Sequence, residues 1–367
     1  MKTILILGGG VGGVVTANAL RKKIGKEHKI ILIDKERHHV FAPSLLWLMV
    51  GLRKPEKISR ELNRLQRKGI EFVNGEIEKV NPAEKSVTVN GKTYTGDYIV
   101  ISLGAELVDD SGLSEKGHNF YALGGALSFQ NALKDFKGGK VVVVVSSMPF
   151  KCPAAPYEAA LLLAHHFMKK KMLDKVEIAL YSPEIGPMGV AGKELSGEVR
   201  ALMESKGIKY FPEHQFNSVN GNTLEFTNGG NTGFDLMAYV PKHQCPKVIC
   251  DTGLVGESGW VKVKDRETME TDFSGVFSIG DVTGILLAVG NPYQRQVFLP
   301  IIRRKQWPII LPWKLTAKAE KRNLRATANV LLRWVVVKRA LQEEIFMPSR
   351  CQISRCLSRV FTGTLAK

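Results

Sequence analysis

The sequence predicts an α/β protein of two three-layer βαβ domains with β-meander insertions. Three observations predict it: a strand, glycine-rich turn and helix at the N-terminus, a second strand and helix from Lys140, and a period-two stretch with an Asn-Gly turn between them. At 367 residues and 44% hydrophobic content the chain can bury two such cores.

The first unit, "KTILILGGGVGGVVTANALRKK", reads as a strand over Ile4 to Leu7, a turn in GxGxxG register and an amphipathic helix. Gly8 permits the tight turn, Gly10 lets the backbone approach a pyrophosphate, and Gly13 lets the helix pack closely on the strand; Gly12 lies within the same turn. The helix N-terminus adds amide donors and a positive dipole end. The next strand, "KIILIDKE", runs into Asp34 and Lys35, and Asp34 falls 24 residues after Gly10, where a carboxylate would hold ribose hydroxyls. A glycine turn that binds nothing would not need that acid. The pattern marks a Rossmann-like dinucleotide site, with FAD and NAD both open at this point.

The following stretch, "KGIEFVNGEIEKVNPAEKSVTVNGKTYTGDYIVISLGAE", alternates in period two and turns at Asn90-Gly91. A meander after two βα units suits a flavoprotein better than a dehydrogenase with one nucleotide domain. In the middle of the chain, five valines after Lys140 predict a strand buried on both faces, followed by a helix. No glycine occurs from Lys140 through His166, and the next strand, "VEIALYS", ends without an acid. A Cβ at each turn position would keep a pyrophosphate away, so NAD(P)H is not expected as a substrate. The turn instead carries Ser146, Ser147, Met148, Pro149 and Cys152. Cys152 at a strand-to-helix turn should lie near amides that favour a thiolate; the bland alternative is a small core hydrophobe. Near residue 280, "TDFSGVFSIGDVTG" is a strand ending in Gly280-Asp281. The expected domains are 1–112 with 236–290, then 113–235, then a basic segment 291–367.

The net charge of +17 would suggest nucleic acid or an anionic membrane, but it is unevenly spread. Residues 291–367 hold 16 Lys and Arg against 3 Asp and Glu, a net of +13, which leaves +4 for the first 290. Five cysteines at irregular spacing fit neither a disulfide framework nor zinc, and no metal site is expected. Cys245 and Cys250 read as packing residues. No run of eighteen uncharged apolar residues occurs, and a strand starting at Thr3 leaves no room for a secretory signal.

The motifs "LGGGVGG", "FAPSLLWLMVG", "FKCPAAPYEAA", "SPEIGPMGVAGKE", "VPKHQCPKV" and "DTGLVGESGWVKVKDRETMETDFSGVFSIGDVTG" resemble those of the sulfide:quinone oxidoreductases and the related flavin subunits of flavocytochrome c sulfide dehydrogenases, over about residues 1–290. The resemblance implies FAD held by Gly8, Gly10, Gly12, Gly13, Asp34, Lys35, Ser44, Gly104, Gly280 and Asp281, with Asp281 at the ribityl chain. It implies Cys152 as the flavin-proximal thiol and Glu158 as an acid/base candidate, whose bland reading is a solvated helix glutamate. Sulfide would attack an enzyme sulfur, a polysulfide would grow between two cysteines, and two electrons would pass through FAD to a membrane quinone. The implied location is cytoplasmic or peripherally bound to the inner or cell membrane, with no nucleic-acid partner and the homo-oligomeric state open.

The resembled family takes its partner cysteine from a C-terminal C-F-x-E-M-G segment, which does not follow Asp281 here. Reading Asn329 to Pro348 one base out of frame, with synonymous codons free, permits C-F-I-E-M-G and onward for nineteen family-like residues. A single-base insertion or deletion near Gly290 is therefore expected to have scrambled residues 291–367. A genuine basic tail, with Trp307, Trp313 and Trp334 at a membrane surface, is the alternative. Other readings left open are a type II NADH:quinone oxidoreductase, a flavocytochrome-type subunit, and a non-enzymatic flavin- or nucleic-acid-binding protein using the tail.

Overall fold

The computed structural model describes residues 1–108, 112–189 and 192–285. The expected tail domain 291–367, with Cys351, Cys356 and its tryptophans, lies outside the described residues.

In chain order the first half comprises β1 (Thr3–Leu7), α1 (Val11–Arg21), β2 (Lys29–Asp34), α2 (Leu45–Met49), β3 (Glu71–Asn74), the meander strands β4 (Ile77–Asn81), β5 (Ser86–Val89) and β6 (Lys92–Thr95), and β7 (Tyr98–Ile101). Then come β8 (His118–Asn119), α3 (Leu123–Asp135), β9 (Gly139–Val145), α4 (Ala155–Lys169), β10 (Val176–Tyr181), β11 (Ile208–Phe211), β12 (Leu236–Val240) and β13 (Val276–Ser278). Two five-stranded sheets result, β13-β7-β1-β2-β3 and β8-β12-β9-β10-β11. Every pairing within them is parallel.

Alternation along the strands builds the layers. Leu5, Leu7, Ile31, Ile33, Ile99 and Ile101 pack with Val80, Val87 and Val89 of the meander. Ile4, Ile6, Ile30 and Leu32 point the other way, to Ala17 and Leu20 of α1. Apolar residues on both faces explain why β1 and β2 read as continuous hydrophobic runs. The five valines of β9 behave alike. Val142 and Val144 join Phe216, Leu224 and Phe226 of a second meander, while the alternate residues Val141, Val143 and Val145 are also fully buried, and α4 packs on β9 and β10.

The expected first meander is present, an antiparallel β4-β5-β6 sheet. Its turn uses Asn90 and Gly91 at φ +49° and +72°, the two positive angles of a type I′ hairpin. One boundary needs correction. Residues 236–240 pair with β9, from Val141 with Leu236 to Val145 with Val240, so the chain returns to the first sheet after 240 rather than at 236. Among the described residues no helix is long and apolar enough to cross a membrane.

Candidate functional site

All strands of the first sheet are parallel, so their C-terminal ends meet at one edge, where ligands of such sheets bind. The turn 8–13 lies there. Gly8 has φ +104°, and a Cβ on it would strike the Ser102 carbonyl; one on Gly13 would strike the Gly8 carbonyl. A Cβ on Gly12 would meet Ser102 Oγ and, at 3.4 Å, Ile279. The ends of β1, β7 and β13 therefore share this edge, which gathers Gly8 to Gly13 with 102–104 and 279–281. Gly104 and Gly280 both turn the chain at positive φ.

The N-terminus of α1 is prepared for an anion. Gly10 caps it in an extended conformation without a side-chain cap, and no acid occupies the first turn. Nothing lies within 4 Å of where a Gly10 Cβ would stand, so the amides face open space. Asp34 closes the other side: its carboxylate accepts hydrogen bonds from the Gly9 amide and, at 2.7 Å, from the Glu36 amide. His39 Nδ1 donates to the Gly9 carbonyl at 2.9 Å. Lys35 is exposed, and its carbonyl accepts from Asn74 at 2.8 Å. Ser44 ends a short 3-10 turn before α2, where its amide donates to the Phe41 carbonyl at 3.0 Å. A Cβ-free cradle, uncapped amides and a carboxylate at the end of β2 fit the ADP portion of FAD.

The second sheet's edge is built differently. After β9 the turn carries Cys152 at φ +53°, a left-handed conformation that costs a non-glycine residue on the order of 1 kcal/mol. Hydrogen bonds hold it there. The Ala155 amide donates to the Cys152 carbonyl at 2.9 Å, and the Tyr121 hydroxyl donates to the Lys151 carbonyl at 2.9 Å. Tyr121 packs edge-on against His243, with centroids 5.3 Å apart. His243 Nδ1 donates to the Pro241 carbonyl at 2.8 Å, its Nε2 is buried without a partner, and burial pushes it down to about 3.

The thiol's state departs from the expected thiolate. The Cys152 residue is exposed as a whole, but protein packed around its thiol and then the Glu158 carboxylate push the thiol up to about 11, with only the Ala155 amide and Lys151 pulling down. Asp281, from the first sheet's edge, also acts on Cys152. Glu158 is half-buried in the first turn of α4; burial raises its pKa, and the Trp47 indole N–H, 3.1 Å from Oε1, lowers it. Burial likewise raises Asp281, against Lys151. Cys152, Glu158 and Asp281 are thus brought together, joined by Lys151, Tyr121, His243 and Trp47, none of which the sequence singled out.

The second sheet does carry an acid beyond its second strand, which the sequence reading overlooked. Glu184 stands three residues past β10, where it accepts hydrogen bonds from the Tyr157 hydroxyl and, at 3.3 Å, from Ser182 Oγ. Tyr157 is buried in the first turn of α4. Its ring packs edge-on against Tyr210, with centroids 6.0 Å apart. Cys250 also differs from expectation, since it is exposed whereas Cys245 is buried. Among the described residues no cluster could hold a metal ion.

A glycine cradle with a carboxylate at the end of β2 on one parallel sheet, and a thiol turn on the other, fit the class of flavoprotein oxidoreductases. The chain belongs to the pyridine nucleotide-disulphide oxidoreductase family, whose profile matches residues 2–298, and it is an FAD-dependent oxidoreductase. It is 29% identical over 297 residues to the sulfide-quinone reductase of Aquifex aeolicus, covering 77% of this chain and 69% of that protein. The crystal structure of the Aquifex enzyme superposes with a TM-score of 0.77 over 86% of this chain and 76% of that one, at 26% identity. The mitochondrial sulfide:quinone oxidoreductase of Mus musculus is 26% identical over 303 residues, 77% of this chain and 66% of that protein. The chain thus spans about two thirds of the length of these relatives. A type II NADH:quinone oxidoreductase of Staphylococcus haemolyticus is 30% identical over 107 residues, only 29% of this chain.

Proposed function

We propose that this chain is built to oxidise sulfide at Cys152 and to send the electrons through FAD to a membrane quinone. The observation that carries the reading is the placement of Cys152 in the slot of the missing glycine turn, within electrostatic reach of Asp281 on the cofactor-holding sheet. The likeness to proteins named sulfide-quinone reductase supports it. Bound FAD would supply a two-electron acceptor and relay. Gly8, Gly10, Gly12, Gly13 and Asp34 would hold its ADP half, with Gly104, Gly280 and Asp281 at the inner half; Lys35 and Ser44 would flank it.

Cys152 presents the sulfur that meets sulfide. Glu158, with its pKa raised by burial, is the nearby group suited to take or return a proton. Lys151 places a positive charge at the same turn, which favours an approaching hydrosulfide anion. The turn after β9 has no glycine, and Tyr157 and Glu184 are hydrogen-bonded to each other at the start of α4 and past β10, which argues against NADH as the reductant. The described part lacks a partner cysteine near Cys152, and the family match ends at residue 298. We read residues 291–367 as a segment out of frame, so that this chain turns over poorly; membrane contact would belong to the in-frame form.

Anaerobic mixing of the FAD-loaded protein tests the reading. Sulfide should bleach the flavin band while NADH leaves it unchanged. Bleaching by NADH and not by sulfide would overturn the proposal in favour of an NADH:quinone oxidoreductase.

A further inference from the structure

Trp47 stands in α2, a helix of five residues whose other members, Leu45, Leu46, Leu48 and Met49, are all buried in the core. Trp47 itself is half-buried and turns away from that core, toward the thiol turn. Its ring is held from both sides: the Arg53 guanidinium lies 4.9 Å from its centroid, and the indole N–H lies 3.1 Å from Glu158 Oε1. The helix is itself tied down, since Gln130 of α3 donates to the Leu48 carbonyl at 2.8 Å.

We propose that Trp47 is a positioning residue whose N–H fixes the Glu158 carboxyl within electrostatic reach of Cys152 and so governs how the thiol's reactivity responds to pH. An indole is a donor only, so it can favour the carboxylate and never the protonated acid. Burial works in the opposite sense on Glu158. The carboxylate in turn disfavours the Cys152 thiolate. The other charged groups facing the thiol are Asp281 from the first sheet's edge and Lys151 from its own turn, and they act with opposite signs. On the α2 side, Arg53 lies over the Trp47 ring, and burial and then Lys170 lower the pKa of His166 of α4. Trp47 therefore acts on the thiol through Glu158. This holds whichever reductant the enzyme takes, so it stands or falls separately from the sulfide reading.

The test is the pH dependence of Cys152 modification by methyl methanethiosulfonate in the FAD-loaded protein, read from the mass of the Cys152 peptide. The logarithm of the rate should rise with pH and show an inflection where Glu158 ionises. Trp47→Phe should move that inflection upward by about one pH unit, the size of one lost charge-assisted hydrogen bond. Glu158→Gln should abolish the inflection and speed the reaction above it. In the Glu158→Gln background, Trp47→Phe should then change nothing. An unmoved inflection, or an equal effect of Trp47→Phe in both backgrounds, would overturn the proposal, because a merely structural tryptophan acts with or without the carboxyl. Should Trp47→Phe fail to fold, benzothienylalanine placed at 47 keeps the shape without the donor, and the same outcomes decide.

Discussion

Glu184 shows at the scale of one residue what a buried carboxyl does to the whole. Burial pushes it up to about 7, although Tyr157 and Ser182 donate to it and pull the other way. The unfolded chain would ionise it near the ordinary glutamate value of 4.5. Between these two values the folded state holds the proton and the unfolded state has lost it, so stability falls as pH rises through the window and levels off above it. The loss should be about 1–3 kcal/mol, after discounting for the partial exposure of the group. His243 slopes oppositely, because a depressed base loses stability as pH falls below its ordinary value near 6.5. Comparing the wild type with Glu184→Gln isolates the acid: the melting temperature of the variant relative to wild type should climb from pH 5 to pH 8. A constant difference would show that Glu184 ionises normally. Of the site residues, Cys152, Asp34 and Asp281 were legible because each ends a strand pattern. Trp47, His243 and Glu184 were not, since their roles depend on partners 111 residues away for Trp47 and 27 for Glu184, and no local period encodes that.

The N-terminus of α1 offers a sharper test at the scale of an element. Its cap is Gly10, extended at φ −66°, with no side-chain partner and open space where a Cβ would go. Any residue can adopt that backbone, so glycine there answers to a ligand rather than to the fold. Gly10→Asp should cap the helix and stabilise the cofactor-free protein by a few tenths of a kcal/mol. The same carboxylate would oppose the pyrophosphate in charge and position, so FAD affinity should fall at least about tenfold, or 1.4 kcal/mol. Melting without FAD and titration with FAD, followed by flavin fluorescence, separate the two effects; a variant that binds FAD normally would remove the phosphate from α1. The glycine register, the Asn90-Gly91 hairpin and the valine strand could all be read from the sequence because each is a short-range demand on backbone or burial. The Tyr157–Glu184 pair could not be. The missing glycines were visible, but Tyr157 is one of many apolar residues on α4, and its hydrogen bond to Glu184 shows only once β10 is laid beside the helix.

At the scale of the whole molecule, the first parallel sheet carries a glycine cradle at its C-terminal edge, and the turn after β9 in the second carries a thiol that Asp281 of the first reaches electrostatically. That arrangement allows one round of chemistry more readily than a cycle. On the proposed reading, a Cys152 thiol and hydrogen sulfide would give a Cys152 persulfide, with one new S–S bond and the loss of two electrons and two protons, for which bound FAD would supply the acceptor. A second round needs another sulfur to take the persulfide off, and the other cysteines among the described residues, Cys245 and Cys250, lie on a separate segment after β12. This chain, loaded with FAD and given sulfide under nitrogen, should therefore bleach one flavin per chain and gain a mass of about 32 Da on the Cys152 peptide, yet reduce quinone slowly in the steady state. Cys152→Ser should lose the mass gain and most of the bleaching. Shifting the reading frame by one base near codon 290, so that the segment from Asn329 is read as C-F-I-E-M-G, should raise the steady-state rate while leaving the first round unchanged. If this chain already turns over many equivalents of sulfide per flavin, the second sulfur is in place and residues 291–367 are a working part of the enzyme rather than a scrambled one.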